Sequence, residues 1–237
     1  NLPTLRSRPT VQSYQGAAQG FEVDPELTNE LKALAQSYGV TLYTLLLTVF
    51  EILLHRYTGQ DDLVVGSVTS GRQPHLTKTV GYCANKIAVR VDLSGNPTVE
   101  ELLKRVRETV LAALEHGDYP WQRLVERLQP ERDLSRSPLF QVMFVFQKPH
   151  LLPDSAPFVL RRPGAILELG ELVLESVPLE QQTAQFDLTL VATQSQQGQL
   201  LGTWEYNTDL FAEATIQRMS EHFQMLLKAI ALGAKRR

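Results

Sequence analysis

His116 and Asp118 stand two residues apart in EHGDYPW, close enough for an imidazole and a carboxylate to act as an acid–base pair. A plainer account competes with that one. A histidine in the last turn of a helix is favoured by the negative end of the helix dipole, and the aspartate after it can help start the next helix. The plainer account is the better of the two. Cys83, in VGYCANK, is the other residue with chemical potential, because a thiolate is a strong nucleophile. The sequence shows no base or helix N-terminus beside it, so it is expected to pack as a small apolar side chain. The five histidines (His55, His75, His116, His150 and His222) are scattered, with no HxxxH or HxH pairing, and the chain has one cysteine. That excludes structural zinc and leaves no ligand set for a catalytic metal. No GxGxxG, Walker, GxSxG or SxxK motif occurs, so nucleotide binding and the common serine-hydrolase chemistries have no support. On residues alone, neither a catalytic group nor a metal ligand is expected.

Composition narrows the class further. The 237 residues are 43% hydrophobic and 21% charged, enough for a globular chain with a sizeable core, as one large domain or two small ones. A net charge of -3 argues against a nucleic-acid partner, and the closing Lys235-Arg236-Arg237 reads as a solvated tail. The most apolar run, Leu42 to Leu54, covers 13 residues and contains Glu51, whereas a membrane span needs about 20. The opening NLPTLRSRPT has no apolar core of a signal peptide and reads as a linker within something longer. A single cysteine suits a reducing compartment, and a cytoplasmic location is expected.

The elements that must position these residues follow from caps and periodicity. Asp24-Pro25 should start a helix running to Gly39, with Leu27, Leu31 and Leu34 on one face. A second helix, Thr41 to Tyr57, is apolar nearly all round and should be buried. DLVVGSVTSGR and KIAVRVDL read as strands. A capping box of Thr98 with Glu101 opens a helix that ends at Gly117, and the short amphipathic PWQRLVERL follows with Pro120 at its start. From Pro138 the pattern turns to strands: LFQVMFVFQ, AILELGELVLESVPL, FDLTLVATQ and QLLGTWEYN, before a last helix from about Ala212 to Ala231. The mixture predicts an α+β fold with a mixed or antiparallel sheet packed with helices.

Four segments, in this order, resemble the C-terminal half of the condensation domains of nonribosomal peptide synthetases. HRYTGQDDLVVGSVTSGR resembles the family's helix-to-strand passage, which ends in a Gly-Arg pair. VGYCANKIAVR resembles (I/V)GxFVNTxxxR, HGDYPW resembles (H/N)QDxPFE, and RDLSRSPLFQVMFVFQ resembles RDxSRxPLFxVxF almost position for position. NLPTLRSRPTVQSYQGA, FDLTL and WEYNTDLF are similar to the family's interlobe linker and closing strands, so the likeness covers nearly the whole chain.

The resemblance implies one lobe, residues 21–237 behind a linker of residues 1–20, of a two-lobed chloramphenicol-acetyltransferase-like fold. Donor acyl or peptidyl and acceptor aminoacyl groups would arrive on the phosphopantetheine arms of carrier proteins, in a tunnel between the lobes, with an adenylation domain as neighbour. No cofactor would be bound directly. The family's acid–base histidine lies in HHxxxDG on the N-terminal lobe, and no two histidines are adjacent in this chain. The fragment alone is therefore expected to be inactive, with no catalytic residue of its own. By the resemblance, Asn85 would hydrogen-bond a pantetheine amide or hold its own loop. Arg72 and Arg90 would pair across the cleft or locally, the local pairing being preferred. Lys86 stands where the family has threonine and would change the tunnel or the donor preference. Arg132, Asp133, Ser135 and Arg136 would hold the turn before Leu139–Gln147, and His116, Asp118, Tyr119 and Pro120 would fix a helix–helix corner. An epimerisation or heterocyclisation lobe, or a non-catalytic docking module, is the alternative.

Overall fold

The computed structural model describes all residues except 1, 3, 5, 73–75, 77, 148–155, 161–163, 178–181 and 236–237. His75, His150 and the last two residues of the basic tail thus lie outside the described residues.

Local signals set most helices. Asp24 caps α1 (Pro25–Ser37) by accepting the Leu27 N–H at 2.8 Å, and Leu27, Leu31 and Leu34 form its buried face. Thr41 caps α2 (Leu42–Thr58), and Gly59 ends it in the left-handed conformation. Leu45, Leu46, Leu47, Val49 and Phe50 are fully buried, so α2 is surrounded on all sides. It meets α1 at a bend of 102°, and no single helix among the described residues is long and apolar enough to cross a membrane. The capping box of α3 (Val99–Glu115) is formed on both sides, Thr98 with Glu101. Two further helices complete the set that the sequence anticipates, α4 (Trp121–Leu128) and α6 (Glu213–Lys235). The single turn α5 (Ala156–Val159) has no counterpart among the sequence expectations.

Six strands form one mixed sheet in the order β1-β8-β7-β4-β2-β3. They are β1 (Gly16–Val23), β2 (Asp62–Thr69), β3 (Asn85–Asp92), β4 (Val142–Gln147), β7 (Leu188–Gln194) and β8 (Leu200–Asn207). β4 runs parallel to both neighbours, in register with β7 from Val142↔Leu188 to Gln147↔Thr193 but meeting β2 only at Gly66↔Met143. The other pairings are antiparallel. Alternate residues point to opposite faces. One set, including Phe21, Val65, Val89, Phe144, Leu190 and Trp204, joins α1, α2, α3 and α6 in a continuous core. The rings of Phe50 and Trp204, 5.7 Å apart, lie at its centre. The other set faces away from that core and is covered only in part.

Two expectations need correction. Residues 16–20 are not linker but part of β1, which pairs with β8 from Gly16↔Asn207 to Val23↔Leu200. GAAQGFEV has little strand character of its own, and its partner supplies the ladder. AILELGELVLESVPL is not one strand. Over the described residues it is a hairpin, β5 (Ile166–Leu169) and β6 (Leu172–Glu175), turning at Gly170-Glu171 in a separate two-stranded sheet. Leu179 lies outside the described residues. The hairpin leaves Ile166, Leu172, Val173 and Val177 each more than 60% exposed.

Candidate functional site

The partly covered face of the sheet carries a second, smaller apolar cluster of Phe140, Met143 and Phe186, flanked by Val64, Ala88, Trp121, Leu139 and Val145. Phe140 is its hub. Its ring lies 4.9 Å from Trp121 and 5.3 Å from Phe186, centroid to centroid. It also lies against the backbone of Gly66, where a methyl group would overlap the ring. A glycine inside a strand often marks such a close approach. Lys86 completes the group, with Nζ 5.1 Å from the Phe186 centroid. Gly66, Lys86, Trp121, Phe140 and Phe186 come from five different motif segments, and the fold brings all five to one place.

Asn85 ties two of those segments together. Its amide nitrogen donates to the Gly117 and Tyr119 carbonyls at 3.0 and 2.7 Å, and its oxygen accepts the Trp121 N–H at 3.2 Å. Both amide protons are therefore engaged in the corner between α3 and α4. Asp118 is expected from the sequence to help start α4, but Pro120 holds the N-cap position with no side-chain cap of its own, and Asp118 is exposed. The cap comes from Asn85 instead. His116 ends α3, its N–H donating to the Ala112 carbonyl and its carbonyl accepting the Tyr119 N–H. No hydrogen bond or ion pair among the described residues joins the His116 and Asp118 side chains.

The arginines are held locally. Arg72 donates to the carbonyls of Leu76, Thr79 and Gly81 and so gathers its own loop. Gly71, at φ 59°, turns the chain where a side chain would strike the Cys83 carbonyl, and Cys83 itself is half-buried. Arg90 makes a two-pronged pair with Asp62 on the neighbouring strand, which holds the exposed Asp62 carboxyl below its usual range. Asp133 accepts the Ser135 hydroxyl at 2.5 Å and the Ser135 N–H at 2.8 Å, and pairs with Arg136 at 3.0 Å. These bonds hold the Asp133 carboxyl below its usual range and fix the turn before β4. Arg132 is exposed on a surface groove of about 870 Å³ whose other charges include Glu126, Glu131, Asp133 and Arg136. Mixed signs give that groove no directed field.

A second knot has no counterpart in the sequence reading. Arg8, in the opening segment, pairs through both terminal nitrogens with the buried carboxylate of Asp187 and donates to the Ser135 carbonyl at 3.1 Å. It joins the first segment to two others. Arg8 carries no local signal, because its partners lie 127 and 179 residues away. Phe140 and Phe186 stand in matched segments, but nothing local in the sequence shows that their rings meet.

The cluster can bind and position, and among its described members there is no histidine or carboxylate. Its only ionisable member is Lys86, whose ammonium burial pushes below the usual lysine range.

Comparison with known proteins places this architecture. The family model "Condensation domain" matches residues 1–236. One subunit of the linear gramicidin synthase of Brevibacillus parabrevis is 44% identical over 234 residues, 98% of this chain and 4% of that protein. Tyrocidine synthase 2 of the same organism is 36% identical over 236 residues, 99% of this chain and 6% of that protein. This chain thus spans a small fraction of the relatives it matches. Among solved structures, a four-domain nonribosomal peptide synthetase bound to AMP and glycine superposes with a TM-score of 0.91 at 30% identity, covering 98% of this chain and 18% of that one. The X-domain from teicoplanin biosynthesis gives 0.82 at 27% identity, covering 98% of this chain and 50% of that one. With the family model matched over nearly its whole length, the chain belongs to the condensation-domain family.

Proposed function

We propose that this chain is the C-terminal lobe of a condensation domain, with β1 from Gly16 onward belonging to the lobe and residues 1–15 leading in from the N-terminal lobe. The domain would form an amide between a donor acyl or peptidyl thioester and an acceptor aminoacyl thioester. The acceptor amine attacks the thioester carbonyl, the C–S bond breaks, and the donor arm leaves as a thiol carrying the proton. Both groups arrive on the phosphopantetheine arms of carrier proteins, with an adenylation domain as neighbour, in the cytoplasm. This lobe holds no cofactor and supplies a wall and positioning surface. Aligning two tethered reactants can itself lower the barrier by roughly 7–11 kcal/mol.

One observation carries the reading. Five motif segments converge on Phe140 on the sheet face that the helices cover only in part, and the cluster's described members include no histidine or carboxylate to take the amine proton. A convergent face without either group suits half of a site. The exposed apolar residues of β5 and β6 support a docked second lobe, as does the half-length match to the X-domain chain. Turnover would then need the HHxxxDG of the other lobe, which this sequence lacks. The RDLSRSPL match supports condensation over epimerisation or heterocyclisation.

The test mixes the chain with donor and acceptor carrier thioesters and measures the condensed product by mass spectrometry. Product should be absent with the chain alone and appear when an N-terminal lobe is added in trans. Product from the chain alone, or none from any lobe pairing, would overturn the reading.

A further inference from the structure

Most cations near the site are already answered. Arg8 has Asp187, Arg90 has Asp62, Arg136 has Asp133, and Arg72 has three carbonyls. Lys86 is different. It lies half-buried on the partly covered face of β3, the same face as Ala88 and Arg90, and opposite Val68 of β2. No carboxylate among the described residues comes within 4.0 Å of its ammonium, and its one contact of note is the Phe186 ring. The Phe186 ring packs at a tilt against Phe140, and Phe140 against Trp121. A ring face attracts a cation but leaves its N–H donors unused. Burial has removed part of the water that would otherwise serve them, and no charge among the described residues makes up for it. The loop entering β3 carries Val80 and Tyr82, 99% and 89% exposed, beside this end of the sheet.

We infer that Lys86 is a specificity-determining residue of this face, a receptor for a negatively charged oxygen group on the incoming substrate. That group is a carboxylate of the acyl chain or the phosphate of the carrier arm. Both present the same chemistry to an ammonium on an aromatic floor that no carboxylate among the described residues pairs. This rests on the reading of the face as a substrate wall.

The full chain can be titrated with stable amide analogues, succinyl-pantetheine and its neutral isostere succinamoyl-pantetheine, each with and without the 4′-phosphate. Trp121, beside the site, reports binding by fluorescence, and calorimetry checks it. The anionic member of one pair should bind about tenfold more tightly, close to what one charge-assisted contact gives. The pair that shows the difference identifies the anion. Lys86→Met should bring the ratio to about one and Lys86→Arg should keep it. Near-UV circular dichroism confirms that both variants stay folded. Equal binding within both pairs, no binding of any analogue, or a ratio unchanged in Lys86→Met would each overturn the inference. Amide formation is read separately. A failed reconstitution with the Lys86-dependent ratio intact refutes condensation, whereas product without any ratio refutes the role of Lys86.

Discussion

The side-chain oxygen of Asn85 accepts the backbone N–H of Trp121 at 3.2 Å, giving α4 from 36 residues away the cap that its own N-terminus lacks. The same amide donates to two carbonyls of the corner. Asn85→Ala therefore leaves three backbone groups unanswered and should lower stability by about 2–3 kcal/mol. Asn85→Asp should do no better, since it turns two donors into acceptors facing carbonyls. Urea unfolding measures the loss. Asp118→Ala should leave the midpoint unchanged, and a drop equal to that of Asn85→Ala would return the capping role to Asp118.

Gly66 and Phe140 occupy each other's space. Gly66→Ala should cost about 1–3 kcal/mol, as overpacking does, because the Phe140 ring is wedged between Trp121, Phe186 and the strand. Phe140→Leu opens a cavity and is destabilising alone. Combined, the two should cost clearly less than their sum, since each relieves the other. Additive effects in a double-mutant cycle would show that the ring has room to move away.

The two knots and the hub show what a single sequence discloses. α3 is legible almost to the residue because its capping box is a local signal, four residues long. β1 is not, because its strand identity comes from β8, nearly two hundred residues on. Asn85, Lys86 and Ser135 are all marked through motif likeness, yet their partners are set by tertiary contacts that no local pattern encodes. Arg8 carries no mark at all. Gly66 is the overlooked clue, a glycine inside an apolar strand run, which points to a close approach without naming the ring that makes it.

Arg8 and Asp187 form a pair that should matter more for tethering than for the core. Asp187→Ala leaves the half-buried Arg8 guanidinium with a single carbonyl, and removing one partner of a buried pair costs roughly 3–5 kcal/mol. Arg8 keeps some access to water, so the lower end is expected for Asp187→Ala and the upper end for Arg8→Met, which leaves the more deeply buried carboxylate without its cation. Limited proteolysis should then cut within residues 8–14 first, because their ties to Leu134 and Ala184 depend on the same anchor. Resistance equal to that of the parent chain would show that β1 alone holds the segment. Arg90→Ala, at an exposed pair, should leave the thermal midpoint where it was.

Glu51 sits inside α2, fully buried, and neither carboxyl oxygen has a hydrogen-bond partner among the described residues. Burial pushes its carboxyl well above the ordinary glutamate value of 4.5, so the folded chain keeps it protonated where the unfolded chain ionises. The sign follows from that difference. Below the unfolded value the carboxyl is neutral in both states and its contribution is fully present. As pH rises toward the folded value, the unfolded state alone releases the proton, and stability falls. Glu51→Met fills similar space without a charge to desolvate and should be more stable than the parent by about 1–3 kcal/mol at pH 8. The gap should narrow as pH falls toward 4.5. Other carboxylates titrate equally in both chains, so the difference between their unfolding free energies isolates Glu51. A gap that is constant with pH would mean that Glu51 is charged in the fold, paired with a group that the buried geometry does not provide.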